Sequence, residues 1–190
     1  MKNVMKTILT FVALFVIVTF IWSCSDKRAK AIEQYNLGNY QDALSLYKDI
    51  EKTSRLDYID FYRLASIYRS LGNNDESILY YNKSLELNRE NPNSLIALGS
   101  VYEDIGQYER AIKFYLLALD TKGNPVDFVV FYRLGRCYAE INNIEKSVVY
   151  FGAFVQKYVD YEKEGKNLID YEKLLDYSLK FLEKNAAVAK

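Results

Sequence analysis

Small and aromatic residues return along this chain at one spacing. Ala43, Ser77, Ala111 and Ser147 follow one another at intervals of 34, 34 and 36 residues. Four positions after each stands an aromatic: Tyr47, Tyr81, Tyr115 and Phe151. Upstream, Leu64, Leu98 and Leu134 each precede a small residue (Ala65, Gly99, Gly135) and lie four before a tyrosine (Tyr68, Tyr102, Tyr138). Residues four apart share one face of a helix. The pattern therefore predicts first helices near 28–37, 57–71, 92–105 and 126–141, and second helices near 40–53, 74–88, 108–121 and 144–159. A period of this length marks stacked helix hairpins, each too small to bury its apolar face alone. No strand alternation is sustained anywhere.

Punctuation falls where hairpins need it. Gly38, Gly72 and Gly106 precede the second helices, and Asn142 takes that place in the fourth unit. Asn91-Pro92 and Asn124-Pro125 read as N-caps followed by proline at the first helical position, with Gly123 as a helix stop. Asn39 with Asp42, and Asn73 with Glu76, read as capping pairs. From Asp160 to Lys184 the chain is densely charged, with Leu168, Leu175 and Leu182 seven apart and Tyr171 and Leu179 on the same stripe. That predicts a solvated helix with one apolar face, capping the stack or docking another protein.

Taken together, Leu64-Ala65-x-x-Tyr68, Leu98-Gly99-x-x-Tyr102, Leu134-Gly135-x-x-Tyr138, Ala43-x-x-x-Tyr47 and Ala111-x-x-x-Tyr115-x-x-Ala118-Leu119 resemble the tetratricopeptide repeat (TPR) family over about residues 30–159. Gln34 in place of the usual tyrosine, and Asn142 and Phe154 in the fourth repeat, depart from the pattern at its ends, where repeats are often atypical. The resemblance implies an all-α, right-handed α-solenoid of about four helix-turn-helix units plus a C-terminal capping helix. The repeats divide as 24–56, 57–90, 91–124 and 125–159, with 160–190 as cap and tail. It also implies a concave groove lined by first helices. Carried over position by position, its candidate residues are Ile59, Tyr62, Arg63, Ser66 and Arg69, then Asn93, Ile96, Ser100, Glu103 and Asp104, then Val129, Tyr132, Arg133, Arg136 and Glu140. Tyr62 and Tyr132 are the expected apolar anchors, and Arg63, Arg69, Arg133 and Arg136 the expected partners of peptide carboxylates. TPR domains that clamp cytosolic chaperone tails use a fixed lysine and asparagine pattern. Here those positions hold Tyr62, Ser66, Ala97, Val129 and Arg133, which argues against that subclass.

The first 23 residues differ from the rest. Lys2 and Lys6 precede an uncharged apolar run from Ile8 to Trp22, short for a spanning helix of about 20 residues and suited to an export signal. Ile21-Trp22-Ser23-Cys24 resembles a bacterial lipoprotein signal, although Ile21 and Trp22 depart from it. That resemblance implies a signal peptide over 1–23, palmitate-type lipid on Cys24, and repeats held at the cell envelope outside the cytoplasm by a short tether, Ser25 to Lys30. An uncleaved signal anchor is the alternative, and orientation does not separate the two, because Lys27, Arg28 and Lys30 after the run weaken the positive-inside contrast.

Composition narrows the chemistry. Formal net charge is +0 and no basic cluster with interleaved aromatics occurs, so nothing favours nucleic acid. The chain has no histidine, which removes histidine-dependent catalysis and the commonest metal ligand. Cys24 and Cys137 are the only cysteines; Cys137, inside a first helix, reads as a small buried residue. No phosphate-binding glycine loop is present, and no cofactor or metal site is implied. The expected protein is a non-enzymatic, membrane-anchored scaffold for protein–protein interaction, taking a protein or peptide in its groove. Its alternatives are an accessory subunit of outer-membrane β-barrel assembly, by analogy with TPR lipoproteins of this layout, and a self-associating structural protein.

Overall fold

The computed structural model describes residues 26–121 and 128–187. The expected signal segment 1–23, the lipidation site Cys24, Gly123 and the Asn124-Pro125 cap lie outside the described residues. The chain divides into two compact units, Met1–Leu87 and Asn88–Lys190. In the first, residues 26–36 form α1, followed by α2 (Tyr40–Thr53), α3 (Tyr58–Ser70) and α4 (Asn74–Leu87). In the second, α5 (Pro92–Asp104) and α6 (Tyr108–Asp120) form one hairpin and α7 (Val129–Glu140) and α8 (Ile144–Lys163) another. A 3-10 turn (Ile169–Tyr171) then leads into α9 (Glu172–Lys184). Among the described residues there is no strand.

Each hairpin turns in one way. Gly38, Gly72 and Gly106 sit at φ 77°, 79° and 74°, and Asn142 at 57°. In the third unit Gly106 N donates to Glu103 O (3.0 Å) and Gln107 N to Tyr102 O (2.8 Å). In the fourth, Asn142 N donates to Ala139 O (2.9 Å) and Asn143 N to Tyr138 O (2.8 Å). This is the Schellman closure, which needs a left-handed residue after the helix. Asparagine tolerates that region better than other side chains, so the turn survives the loss of glycine.

The helix starts are mixed. Asn91 Oδ1 accepts from Asn93 N (3.0 Å) and Ser94 N (3.3 Å) with Pro92 behind it, as expected. Asn39 does not cap α2: its amide donates to Gln34 Oε1 at 2.8 Å instead. An unforeseen capping box opens α3. Asp57 accepts from Ile59 N and Asp60 N, while Asp57 N donates to Asp60 Oδ2.

The repeat core rests on one close contact. A Cβ on Gly99 would lie 2.7 Å from the Tyr115 ring, and one on Gly135 2.7 Å from the Phe151 ring. The small residue of the first helix thus lets the aromatic of the second lie directly on the backbone. A second aromatic pair recurs beside it. Tyr68 stacks on Tyr80, Tyr102 on Phe114 and Tyr138 on Tyr150, with centroids 5.3, 5.5 and 5.3 Å apart. The first repeat has Gln34 and Leu46 at these two positions, so it lacks both halves of the pair together.

The C-terminal segment departs from expectation. α8 runs on to Lys163, and the chain then turns at Gly165 (φ 73°), so the final helix begins only at Glu172. The expected stripe holds in part: Leu168, Tyr171 and Leu175 pack inward, while Leu179, on the same unbroken helix as Leu175, is 47% exposed. Leu168 is buried in the turn, in a cluster with Phe128, Phe154 and Tyr158 that Tyr171, Leu174 and Leu175 complete. Phe181 meets Phe151 at 4.8 Å and Ser178 is fully buried. α9 is therefore a cap packed on the last hairpin.

Candidate partner-binding surface

The first helices place the expected binding residues, and packing beneath each decides what it can offer. In the first unit, Ile59 is 39% exposed, while Tyr62 is half-buried with its ring 5.7 Å from that of Tyr81. Ser66 is turned to internal bonds: Oγ donates to Tyr62 O at 3.0 Å and is bonded to the Tyr81 hydroxyl at 2.9 Å. Arg63 stands 4.0 Å from Asp60, a carboxylate 1% exposed that Arg28 also meets at 2.9 Å. Burial raises the Asp60 carboxyl above its ordinary range, with Arg28 and Arg63 opposing. Arg28 Nη2 donates to Arg55 O at 3.3 Å, so α1 is fastened to the start of α3. The expected tether from Ser25 to Lys30 is thus already helical from residue 26. Arg69 is half-buried on the same helix as Tyr62.

In the second unit the expected acidic middle of the surface is divided: Glu103 is internal and Asp104 exposed. Glu103 is 7% exposed and Ser100 3%, which corrects their placement as open groove residues. The Tyr115 hydroxyl donates to Glu103 Oε2 at 2.6 Å and lies 3.2 Å from Ser100 Oγ. Arg133 Nη1 donates to the same Oε2 at 3.0 Å, and Arg136 Nη1 lies 3.4 Å from Oε1. Both arginines are therefore directed at a carboxylate of the chain itself. Burial is the main reason the Tyr115 phenol is shifted upward; Arg133 opposes it and Glu103 adds to it. Tyr132 is half-buried, its ring 5.7 Å from Phe151, 5.6 Å from Phe154 and 6.0 Å from Tyr177 of the cap. Ile96 and Val129 are half-buried, and Asn93, Asp104 and Glu140 are exposed.

The second-helix tyrosines follow a rule that sequence reading missed. Tyr81 and Tyr115 each find a serine on their own repeat's first helix, Ser66 and Ser100. The equivalent positions in the first and fourth repeats are Ile32 and Arg136. The fourth repeat carries Phe151, which has no hydroxyl to satisfy. The first carries Tyr47, fully buried, whose hydroxyl meets no serine and makes no regular hydrogen bond, with the Arg63 guanidinium near it. The signal was present in the register of Ile32, Ser66, Ser100 and Arg136, one position after the small residue.

Cys137 is fully buried and burial pushes its thiol up to about 12. Its role is packing. Among the described residues no helix is long and apolar enough to cross a membrane.

Comparison with known proteins agrees with this architecture. Sequence models of the tetratricopeptide repeat match residues 31–48, 58–124 and 130–160. No curated protein matches. Among solved structures, YrrB, described as a TPR protein with an unusual peptide-binding site, is similar with a TM-score of 0.67 at 15% identity, over 83% of this chain and 74% of that one. MamA from Desulfovibrio magneticus RS-1 superposes with a TM-score of 0.66 at 17% identity, over 87% and 94% of the two chains. The Yersinia enterocolitica type III secretion chaperone SycD, in complex with a peptide of the translocator YopD, gives 0.58 at 18% identity, over 63% and 95%. With the hairpin period, the Schellman turns and the small-on-aromatic contact all in place, the chain is a tetratricopeptide repeat protein.

Proposed function

We propose that this protein is a non-enzymatic adaptor that holds a segment of another protein against its first helices, anchored to a bacterial envelope membrane through lipid on Cys24. The observation that carries the binding half is the way Tyr62, Tyr132 and Arg136 are held. Each sits on a first helix, partly exposed, with its base set in the aromatic packing or ion pairing beneath. Tyrosine and arginine fixed in this way lose little freedom on binding, which is why they dominate binding hot spots. Peptide complexes of similar folds, such as that of SycD with YopD, support the same reading. The anchoring half rests on the apolar run before Cys24. Self-assembly through the C-terminal end draws less support, because α9 covers the apolar face of the last hairpin.

Site-specific photocrosslinking in cells tests the binding half. A photoreactive residue at Ile59 or Asn93 on first helices should capture protein partners, and one at Lys113 or Val149 on second helices should not. Equal capture from both sets would refute it. A Cys24→Ala variant should lose lipid and leave the membrane fraction; unchanged fractionation would refute the lipid anchor. A role in β-barrel assembly would show as barrel-assembly proteins among the captured partners.

A further inference from the structure

The second unit carries one positive charge that its own packing does not require. Glu103 is a single carboxylate, its side chain 6% exposed, and two guanidiniums face it. Arg133 is the tighter of the two, at 3.0 Å on the oxygen that also accepts from Tyr115. Arg136 is the looser, at 3.4 Å, and its side chain is 43% exposed. One long contact leaves most of the five N–H donors of a guanidinium open to solvent.

The repeat register sharpens the difference. Arg136 occupies the position that holds Ser66 and Ser100 in the two preceding repeats, where serine serves the hydroxyl of Tyr81 or Tyr115. Its own repeat has Phe151, so no hydroxyl needs serving and hairpin packing does not call for a polar residue there. Four residues before it on the same helix stands Tyr132, half-buried against Phe151 and Phe154. Glu140, four residues after it, is exposed, so the face is mixed in charge and not uniformly basic.

We infer that Arg136 is the group of this unit that receives a carboxylate from the bound segment, with Glu103 and Arg133 as positioning residues that hold it, so the unit selects peptides carrying a single Asp or Glu beside an apolar residue. This rests on the partner-binding reading above. The acidic side chain pairs with the outward N–H groups of Arg136, and the apolar neighbour packs on Tyr132. Arg133, its side chain 33% exposed, is the more committed of the two, bonded to the Glu103 oxygen that also accepts from Tyr115.

The test uses the detergent-extracted full-length protein and an array of synthetic peptides, each made in a Glu form and a Gln twin. Wild type should bind Glu forms on the order of tenfold more tightly than their twins, as charge-assisted hydrogen bonds are the stronger kind. Arg136→Gln should abolish that preference by weakening the Glu forms to the level of their Gln twins, with a smaller loss of melting temperature than Arg133→Gln brings. Arg136→Lys should retain part of the preference. Wild type binding both forms equally would overturn the inference while leaving the adaptor reading standing. Preference surviving in Arg136→Gln would overturn it as well. Absence of binding to any peptide would remove both.

Discussion

Tyr115 and Glu103 are joined by a 2.6 Å hydrogen bond in which a buried phenol donates to a carboxylate 6% exposed. The bond ties the second helix of one hairpin to its first, and through Arg133 to the next hairpin. Removing the hydroxyl leaves Glu103 and Ser100 short of a partner. Tyr115→Phe should cost about 1–2 kcal/mol, because an unmet buried polar group loses more than the bond itself was contributing. Chemical denaturation would measure it, and an unchanged midpoint would show the hydroxyl to be idle.

Tyr47 occupies the same register and should behave in the opposite way. Its hydroxyl is buried without a regular hydrogen bond and has only the Arg63 guanidinium near it, since Ile32 stands where Ser66 and Ser100 stand in later repeats. Tyr47→Phe removes an unsatisfied group and keeps the ring. It should leave stability unchanged or raise it by up to about 1 kcal/mol. A loss comparable to that of Tyr115→Phe would mean that the hydroxyl does find a partner.

Two glycines separate packing from helix propensity. Gly135→Ala puts a Cβ 2.7 Å from the Phe151 ring, whereas at Gly152 on α8 nothing lies within 4 Å. Overpacking costs about 1–3 kcal/mol, and replacing a mid-helix glycine by alanine otherwise gains roughly 0.5–1 kcal/mol. Gly135→Ala should therefore lower the melting temperature and Gly152→Ala should raise it. The same sign for both would contradict the close-contact account.

Stability should fall in alkali. Burial raises Tyr47 and Tyr81 from 10.0 to about 12, and Cys137 from 9.0 to about 12. A folded-state value above the unfolded one means that the unfolded chain gives up its protons first. The stability these neutral groups confer is complete below their ordinary values and is lost as pH climbs from about 9 towards 12. Melting temperature against pH, followed beside tyrosinate absorbance, should show the two changing together. Full tyrosine ionisation in a still-folded protein would count against it.

Much of the fold was legible because repetition multiplies a weak signal. A single Ala43 or Tyr47 predicts little, but four copies in register define helix, face and turn at once. The turn at Asn142 shows the limit of reading letters alone: the residue type changed and the left-handed backbone did not. The stacked pairs Tyr68–Tyr80, Tyr102–Phe114 and Tyr138–Tyr150 lie in the same register, although only their first members belong to the motif that defines the repeat.

The surface was less legible, because position on a helix face does not reveal what the neighbouring helix brings to it. Ser100 and Glu103 lie on the groove-facing side of α5 by spacing, yet Tyr115 and Arg133 converge on them and bury them. The C-terminal stripe shows a related limit: Leu179 is exposed because the face of α9 that meets the last hairpin runs through Leu174, Ser178 and Phe181, which only the neighbouring hairpin decides.

What the sequence determined by itself is therefore the periodic part of this protein: hairpin number, turn sites, and the small-on-aromatic core, all set by local preference and repeated apolar spacing. Tertiary structure alone decided which charges are internal and which face a partner. An arginine and a glutamate 30 residues apart become one part-buried pair only when two hairpins stack, and the pairing leaves Arg136 as the more exposed of the two arginines.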